Sequence, residues 1–174
     1  SSATPVATPE VKRQSIPGEQ QALLQRGDVE KYQAITGSLM FAMTTCRPDI
    51  AHAVHMLARR MSQPRLVDMI AAKRVLRYLR GALKLGLLFK FAESSEDPGL
   101  SAYADADWAA NPQETMGKST SGYVVLYNGS LISWHSGLQS TVALSSTEAE
   151  YVALSECCRE VTYLRSILEF VQHD

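Results

Sequence analysis

The sequence predicts a mixed α/β fold in which helices come first, a truncated antiparallel sheet follows, and a long C-terminal helix closes the chain. Three observations carry that expectation. Apolar residues recur at helical spacing from Glu30 to Leu83, alternation and turn signals take over between Leu87 and Leu138, and helical spacing returns from Ser146 to about Gln172.

Residues 1–28 hold three of the seven prolines and no sustained apolar period, so they read as a mobile lead-in. From residue 29 to 85 three helices are expected. Tyr32, Ile35, Leu39 and Met43 form the stripe of the first, which Gly37 weakens without forbidding. Pro48 suits the first turn of a second, striped by Ile50, Val54, Leu57 and Met61 and ended by Pro64. The third runs from about Leu66 to Leu83, with Met69, Ala72, Leu76, Leu79 and Leu83 as its apolar face. Residues 86–174 form the second folded part. Leu87 to Phe91 is a short strand candidate, Leu100 to Trp108 a second, and the stretch around Asn128-Gly129 a hairpin. Three or four antiparallel strands result. The last helix carries Ala153, Cys157, Val161, Leu164, Leu168 and Val171 on one stripe.

Composition excludes several classes. With 174 residues, 45% of them hydrophobic, the chain can bury a core, and its net charge of -1 gives no global attraction to nucleic acid or anionic lipid. Any such partner must meet a local patch. Three cysteines, two of them adjacent, cannot build a disulfide framework and suit a reducing compartment. No apolar run approaches the roughly 20 residues of a membrane span, so membrane insertion is not expected. The first residue, Ser1, leaves open both a removed leader and excision from a longer chain. The four histidines show no metal-ligand spacing with the cysteines and read as structural or surface residues.

The acidic residues are more informative. Asp105 and Asp107 are two apart in a strand, so both leave the same face, where water, a cation or a partner base must meet them. A solvated strand end is the plain alternative. Ser146 or Thr147 can cap the last helix, and Glu148 in its first turn complements the helix dipole. One turn back from Ala153 the apolar stripe reaches Glu150, while Glu148 sits roughly 200° round the helix and can stay in water. Glu150 is therefore expected to face the sheet. Carboxylates converging from a strand and a helix suit divalent cations, and two such ions about 4 Å apart can activate water and stabilise the leaving oxygen of a phosphodiester.

Several motifs together carry a family resemblance. YADADW, KSTSGYVV, LISWHS and QSTVALSSTEAEYVAL, with CRPDIAHAV and AAKRVLRYLRG upstream, resemble in the right order and over nearly the whole chain the Pol polyprotein of copia-type retrotransposons. The resemblance implies that the part up to about Leu83 is similar to the tail of a reverse transcriptase region and the rest to the beginning of an RNase H domain. It implies Asp105 as the first catalytic aspartate and Glu150 as the catalytic glutamate, both binding Mg²⁺ or Mn²⁺, with Asp107 and Glu148 as second choices should the register shift. In that family the chain continues beyond the long helix into a strand whose Cys-Asp-Asn motif supplies a third carboxylate. This sequence ends at Asp174, directly after the helix, and Asp174 is not assigned that role. Nuclease activity of the chain by itself is accordingly not expected. No cofactor is then required, and an active form would be a Mg²⁺-dependent ribonuclease H.

Lys73, Arg77, Arg80 and Lys84 recur at helical spacing, a stripe that could grip phosphate and could equally be a solvated helix face. The same helix contains Arg74-Val75-Leu76-Arg77, which resembles the Arg-x-Leu-Arg host-targeting tetrad of secreted oomycete effectors, with Glu93, Glu96 and Asp97 following as acidic residues. Against it, Leu76 falls on the expected apolar face and the tetrad lies far from the N-terminus. Two functions remain. One is a retroelement-derived, non-enzymatic effector, secreted and delivered into a host cell, where it binds a host protein. The other is an intracellular Pol fragment whose RNase H would cut the RNA strand of an RNA–DNA hybrid. The oligomeric state is open.

Overall fold

The computed structural model describes residues 4–9, 21–89, 99–109 and 115–172. The chain divides into two compact units, residues 1–86 and 87–174.

Three helices build the first unit: α1 (Arg26–Thr45), α2 (Ala51–Ala58) and α3 (Leu66–Gly81), with a 3₁₀ turn (Pro48–Ile50) leading into α2. Tyr32 and Leu39 from α1, Ile50, Val54 and Leu57 around α2, and Met69, Ala72 and Val75 from α3 form its core. Tyr32 is fully buried, and its hydroxyl donates to the Leu57 carbonyl over 2.7 Å, so the polar tip of a core residue is satisfied by the neighbouring helix. The stripes expected for α1 and α2 are those found; Ile35, Met43 and Met61 complete them at the core margin.

Two expectations for this unit are corrected. The first helix starts before residue 29: α1 begins at Arg26, and Leu23 ahead of it forms a β-bridge with Arg65. Its first turn is polar, with Lys31 on Asp28 at 3.0 Å and Arg26 near Glu30 at 3.8 Å, so no apolar period announced it. Pro5 also approaches α3, where a Cβ on Gly81 would lie 2.9 Å from Pro5 Cβ. In α3 the buried stripe is Asp68, Met69, Ala72 and Val75, whereas Leu76 is 41% and Leu83 78% exposed. The stripe steps from Ala72 by three to Val75 rather than by four to Leu76. The helix ends at Gly81, before Leu83.

The second unit is a sheet with one long helix. Strands β1 (Leu100–Asp107), β2 (Thr120–Tyr127) and β3 (Ser130–Leu138) pair antiparallel in the order β1-β2-β3, and α4 spans Ser146–Gln172. Asn128 and Gly129 turn the β2-β3 hairpin with φ of 50° and 71°, the left-handed conformation that a two-residue turn requires of both positions. Leu87, Leu88 and Phe89 form no strand, which removes the described part of that candidate; Lys90 and Phe91 lie outside the described residues, as do Glu93, Glu96 and Asp97. The α4 stripe is buried at Ala149, Ala153 and Cys157 and loosens toward Val171, which is 64% exposed.

Candidate functional site

The site begins at the N-terminus of α4. Ser145, rather than Ser146 or Thr147, is the cap: its hydroxyl accepts from the Glu148 backbone N–H at 3.1 Å. The Glu148 carboxylate reaches back to accept from the Leu144 N–H at 2.7 Å. This reciprocal pair satisfies backbone donors that the first turn cannot. It also gives Glu148 a structural task.

Gln139, 1% exposed, then fixes the helix to the sheet. Its amide donates to the Ser121 hydroxyl at 3.0 Å and to the Ala149 carbonyl at 2.8 Å. Ser121 is the cross-strand partner of Ala106, so the face of β1 that carries Ala106 is the one turned toward α4. Strand alternation sends Asp105 and Asp107 together from the other face. Both are exposed, and Asp105 Oδ1 accepts from the Ala106 N–H at 2.9 Å. Trp108 anchors the strand end by donating its indole N–H to the Ala143 carbonyl at 3.2 Å.

Glu150 is displaced from its expected place by one position. Ala149 is the buried residue one turn before Ala153, and Glu150 beside it is exposed. A step of four, not three, continues the stripe backward. Among the described residues no three His, Cys, Asp or Glu side chains are grouped so as to hold a metal ion. Asp174 lies outside the described residues. No helix among those described is long and apolar enough to cross a membrane.

The basic stripe and the Arg-x-Leu-Arg tetrad lie in the first unit. Lys73, Arg80 and Lys84 are exposed and Arg77 is half-buried; Lys84 falls just beyond the end of α3. Within the tetrad, Val75 is core, Leu76 is exposed, and Arg74 donates to the Thr8 hydroxyl at 3.1 Å. The Nε atoms of Arg74 and Arg77 are shut off from solvent without a hydrogen-bond acceptor.

One polar cluster went unread in the sequence. Arg47, 8% exposed, holds Asp49 through two hydrogen bonds of 2.9 and 2.7 Å, and its guanidinium lies 5.8 Å from the Tyr78 ring centroid. Hydrogen bonding to Arg47 lowers the Asp49 carboxyl below its ordinary value, and the hydrogen bond to Asp49 raises the Tyr78 hydroxyl. Arg-Pro-Asp between two helices was its sequence signal: the spacing allows a two-residue ion-pair fork around a proline turn.

No family model and no solved structure matches the chain. It is 42% identical over 147 residues to the "Retrovirus-related Pol polyprotein from transposon TNT 1-94" of Nicotiana tabacum, covering 83% of this chain and 11% of that protein. To the corresponding Pol polyprotein from transposon RE1 of Arabidopsis thaliana it is 39% identical over 141 residues, 81% of this chain and 9% of the relative. The chain thus spans about a tenth of the length of these polyproteins. To "Secreted RxLR effector protein 161" of Plasmopara viticola it is 44% identical over 133 residues, 76% of this chain and 90% of that protein. Relatives of both kinds share one sequence lineage, and the chain belongs to this family of copia-type, retrovirus-related Pol sequences.

Proposed function

We propose that the chain is a retroelement-derived, RNase H-like protein that works by binding rather than by cutting, as a secreted RxLR-type effector that suppresses plant host immunity or cell death. The observation that carries this reading is the 44% identity over 133 residues to the Plasmopara effector, an alignment that takes in 90% of that protein. The placement of the expected pair supports it, since Asp105 leaves the sheet face opposite α4 and Glu150 is exposed beside the buried stripe of that helix. In this reading the protein is secreted, enters the host cell, binds a host protein and needs no cofactor. Arg74 to Arg77 would be the targeting tetrad.

The test is expression of the chain in plant leaf cells together with a cell-death elicitor, beside variants carrying Arg74→Ala and Arg77→Ala in a secreted form. Suppression of cell death by the intracellular chain supports the reading. Its absence at confirmed protein levels counts against it.

A second reading is favoured by the 42% identity to the tobacco Pol polyprotein over 147 residues. Here the chain is a Pol fragment in which Asp105 and Glu150 would have to come to one side of the sheet to hold Mg²⁺ or Mn²⁺, and in the first unit Lys73, Arg77, Arg80 and Lys84 would contact nucleic-acid phosphate. The metal would supply activation of water and stabilisation of the leaving oxygen. Metal-dependent cleavage of a labelled hybrid that Asp105→Asn and Glu150→Gln each abolish would establish this reading over the first.

A further inference from the structure

Away from the aspartates, the second unit contains a cavity of about 430 Å³ lined by Tyr123, His135, Glu156, Arg159 and Glu160. It is built by both layers. Tyr123 of β2 and His135 of β3 are cross-strand partners, and their rings stack at 5.3 Å between centroids and 25° between planes. Two residues further along the same face, Gly137 leaves the space that this arrangement needs: a Cβ there would lie 2.5 Å from His135 Nε2. A side chain at this position would push the imidazole away from its place beside the tyrosine.

The opposite wall comes from α4. Glu160 Oε1 accepts the Ser133 hydroxyl at 2.7 Å, which holds the glutamate against the sheet. Glu156 is one turn earlier, and its Oε2 is closed to solvent with no hydrogen-bond donor. That oxygen has no donor within the protein, and a rotation of the carboxylate about its last bond would bring it to a donor entering the cavity. Burial, and after it the Glu160 charge, pushes the Tyr123 hydroxyl above its ordinary value, with Cys157 and Glu156 adding to the rise and Arg159 opposing it.

The lining selects among ligands. Two carboxylates against one guanidinium repel an anion. Among the described residues no three His, Cys, Asp or Glu side chains are grouped so as to hold a metal ion. An uncharged ligand would leave the acids uncompensated. A planar cation uses every part of the wall, since a guanidinium can fork onto a carboxylate and stack on aromatic faces, whereas an alkylammonium is a compact, strongly hydrated point charge. From the stacked Tyr123–His135 pair, the Gly137 clearance and the Glu156–Glu160 wall, we propose that this cavity is a guanidinium-binding site. The source is free arginine or the arginine side chain of a partner polypeptide.

The test titrates the full chain with N-acetyl-L-argininamide and, separately, with free L-arginine. Aromatic proton–carbon resonances of Tyr123 and His135 are followed by NMR, with N-acetyl-L-citrullinamide as the neutral isostere. Saturable shifts of both residues are expected with the arginine compounds. Glu156→Gln, which keeps the shape of the wall, and the citrulline compound should each weaken binding at least about tenfold. Gly137→Ala should also weaken it, by displacing His135. Tighter binding of the capped form identifies a polypeptide side chain as the source, and tighter binding of free arginine identifies the amino acid. Absence of saturable shifts with both arginine compounds, equal binding of citrulline, or unchanged binding by Glu156→Gln in a chain of native circular dichroism would overturn the proposal.

Discussion

The Gln139 side-chain amide donates to the Ala149 carbonyl over 2.8 Å, joining the end of β3 to the first turn of α4. The same nitrogen donates to Ser121 at 3.0 Å, so one buried amide ties two strands and a helix together. Its Oε1 has no donor, which makes the nitrogen the whole of its contribution. Gln139→Ala should destabilise the second unit by about 1–3 kcal/mol, the usual cost of removing buried hydrogen bonds together with the space left behind. Both tryptophans, Trp108 and Trp134, belong to that unit, so the loss is read from tryptophan fluorescence during urea unfolding. An unchanged midpoint would show that the tether carries no weight.

Much of this architecture was legible where period and turn chemistry agreed. Tyr32 and Leu39 at helical spacing, and Asn128-Gly129 between two alternating runs, each specify one local structure. Errors arose where the pattern offered two neighbours for one place. Ala72 can be followed on a helix face by Val75 or Leu76, and Ala153 preceded by Ala149 or Glu150; packing against the neighbouring elements chose Val75 and Ala149. The polar ties were illegible for another reason. Gln139 and Arg47 find partners through the turns of the chain in space, and no spacing announces that a loop glutamine will reach a helix carbonyl. The acid residues at the candidate site were visible as a motif, but their faces depended on the same one-residue choices.

The choice between Val75 and Leu76 has a direct consequence. Val75 is 1% exposed and Leu76 41%. Val75→Ala should cost about 1.5–3 kcal/mol, from lost burial and the cavity it leaves. Leu76→Ala should cost about 0.5 kcal/mol or less, as a surface substitution does. Chemical denaturation followed by far-ultraviolet circular dichroism separates them, and a larger loss for Leu76→Ala would restore the stripe expected from the sequence. The same pair matters for targeting, because Leu76→Ala can then alter the tetrad without unfolding it.

The Arg47–Asp49 fork makes the first unit sensitive to acid. Hydrogen bonding to Arg47 holds the folded Asp49 carboxyl below its ordinary 3.8, so near that pH the unfolded chain binds more protons than the folded one. Its stabilising contribution is therefore complete above that ordinary value and disappears as pH falls through the lowered one. Amide exchange of α1 to α3 measured from about pH 5 to about pH 3 should show protection falling, less steeply in Asp49→Asn. Equal slopes in the two proteins would remove the fork as the cause. At the alkaline end Tyr78 acts in the opposite sense: its raised hydroxyl favours the folded state below 10.0, and that contribution is lost as pH rises through the higher folded value.

The three thiols should separate by reactivity. Cys46 and Cys158 are exposed, whereas Cys157 is 3% exposed on the face of α4 that meets the sheet. Burial raises the Cys157 thiol, and the neighbouring Cys158 and Glu160 add to the rise, so two effects oppose its reaction: fewer thiolates form and reagent cannot reach them. In the native chain at neutral pH, iodoacetamide should therefore label Cys46 and Cys158 first, with Cys157 modified only on the timescale at which α4 leaves the sheet. Peptide mapping by mass spectrometry assigns the sites. Gln139→Ala should accelerate Cys157 labelling while leaving Cys46 unchanged, because only the former depends on the docking of α4. Labelling of Cys157 as fast as Cys158 in the unsubstituted chain would mean that the α4–sheet interface opens far more readily than its buried alanines and the Gln139 tether imply.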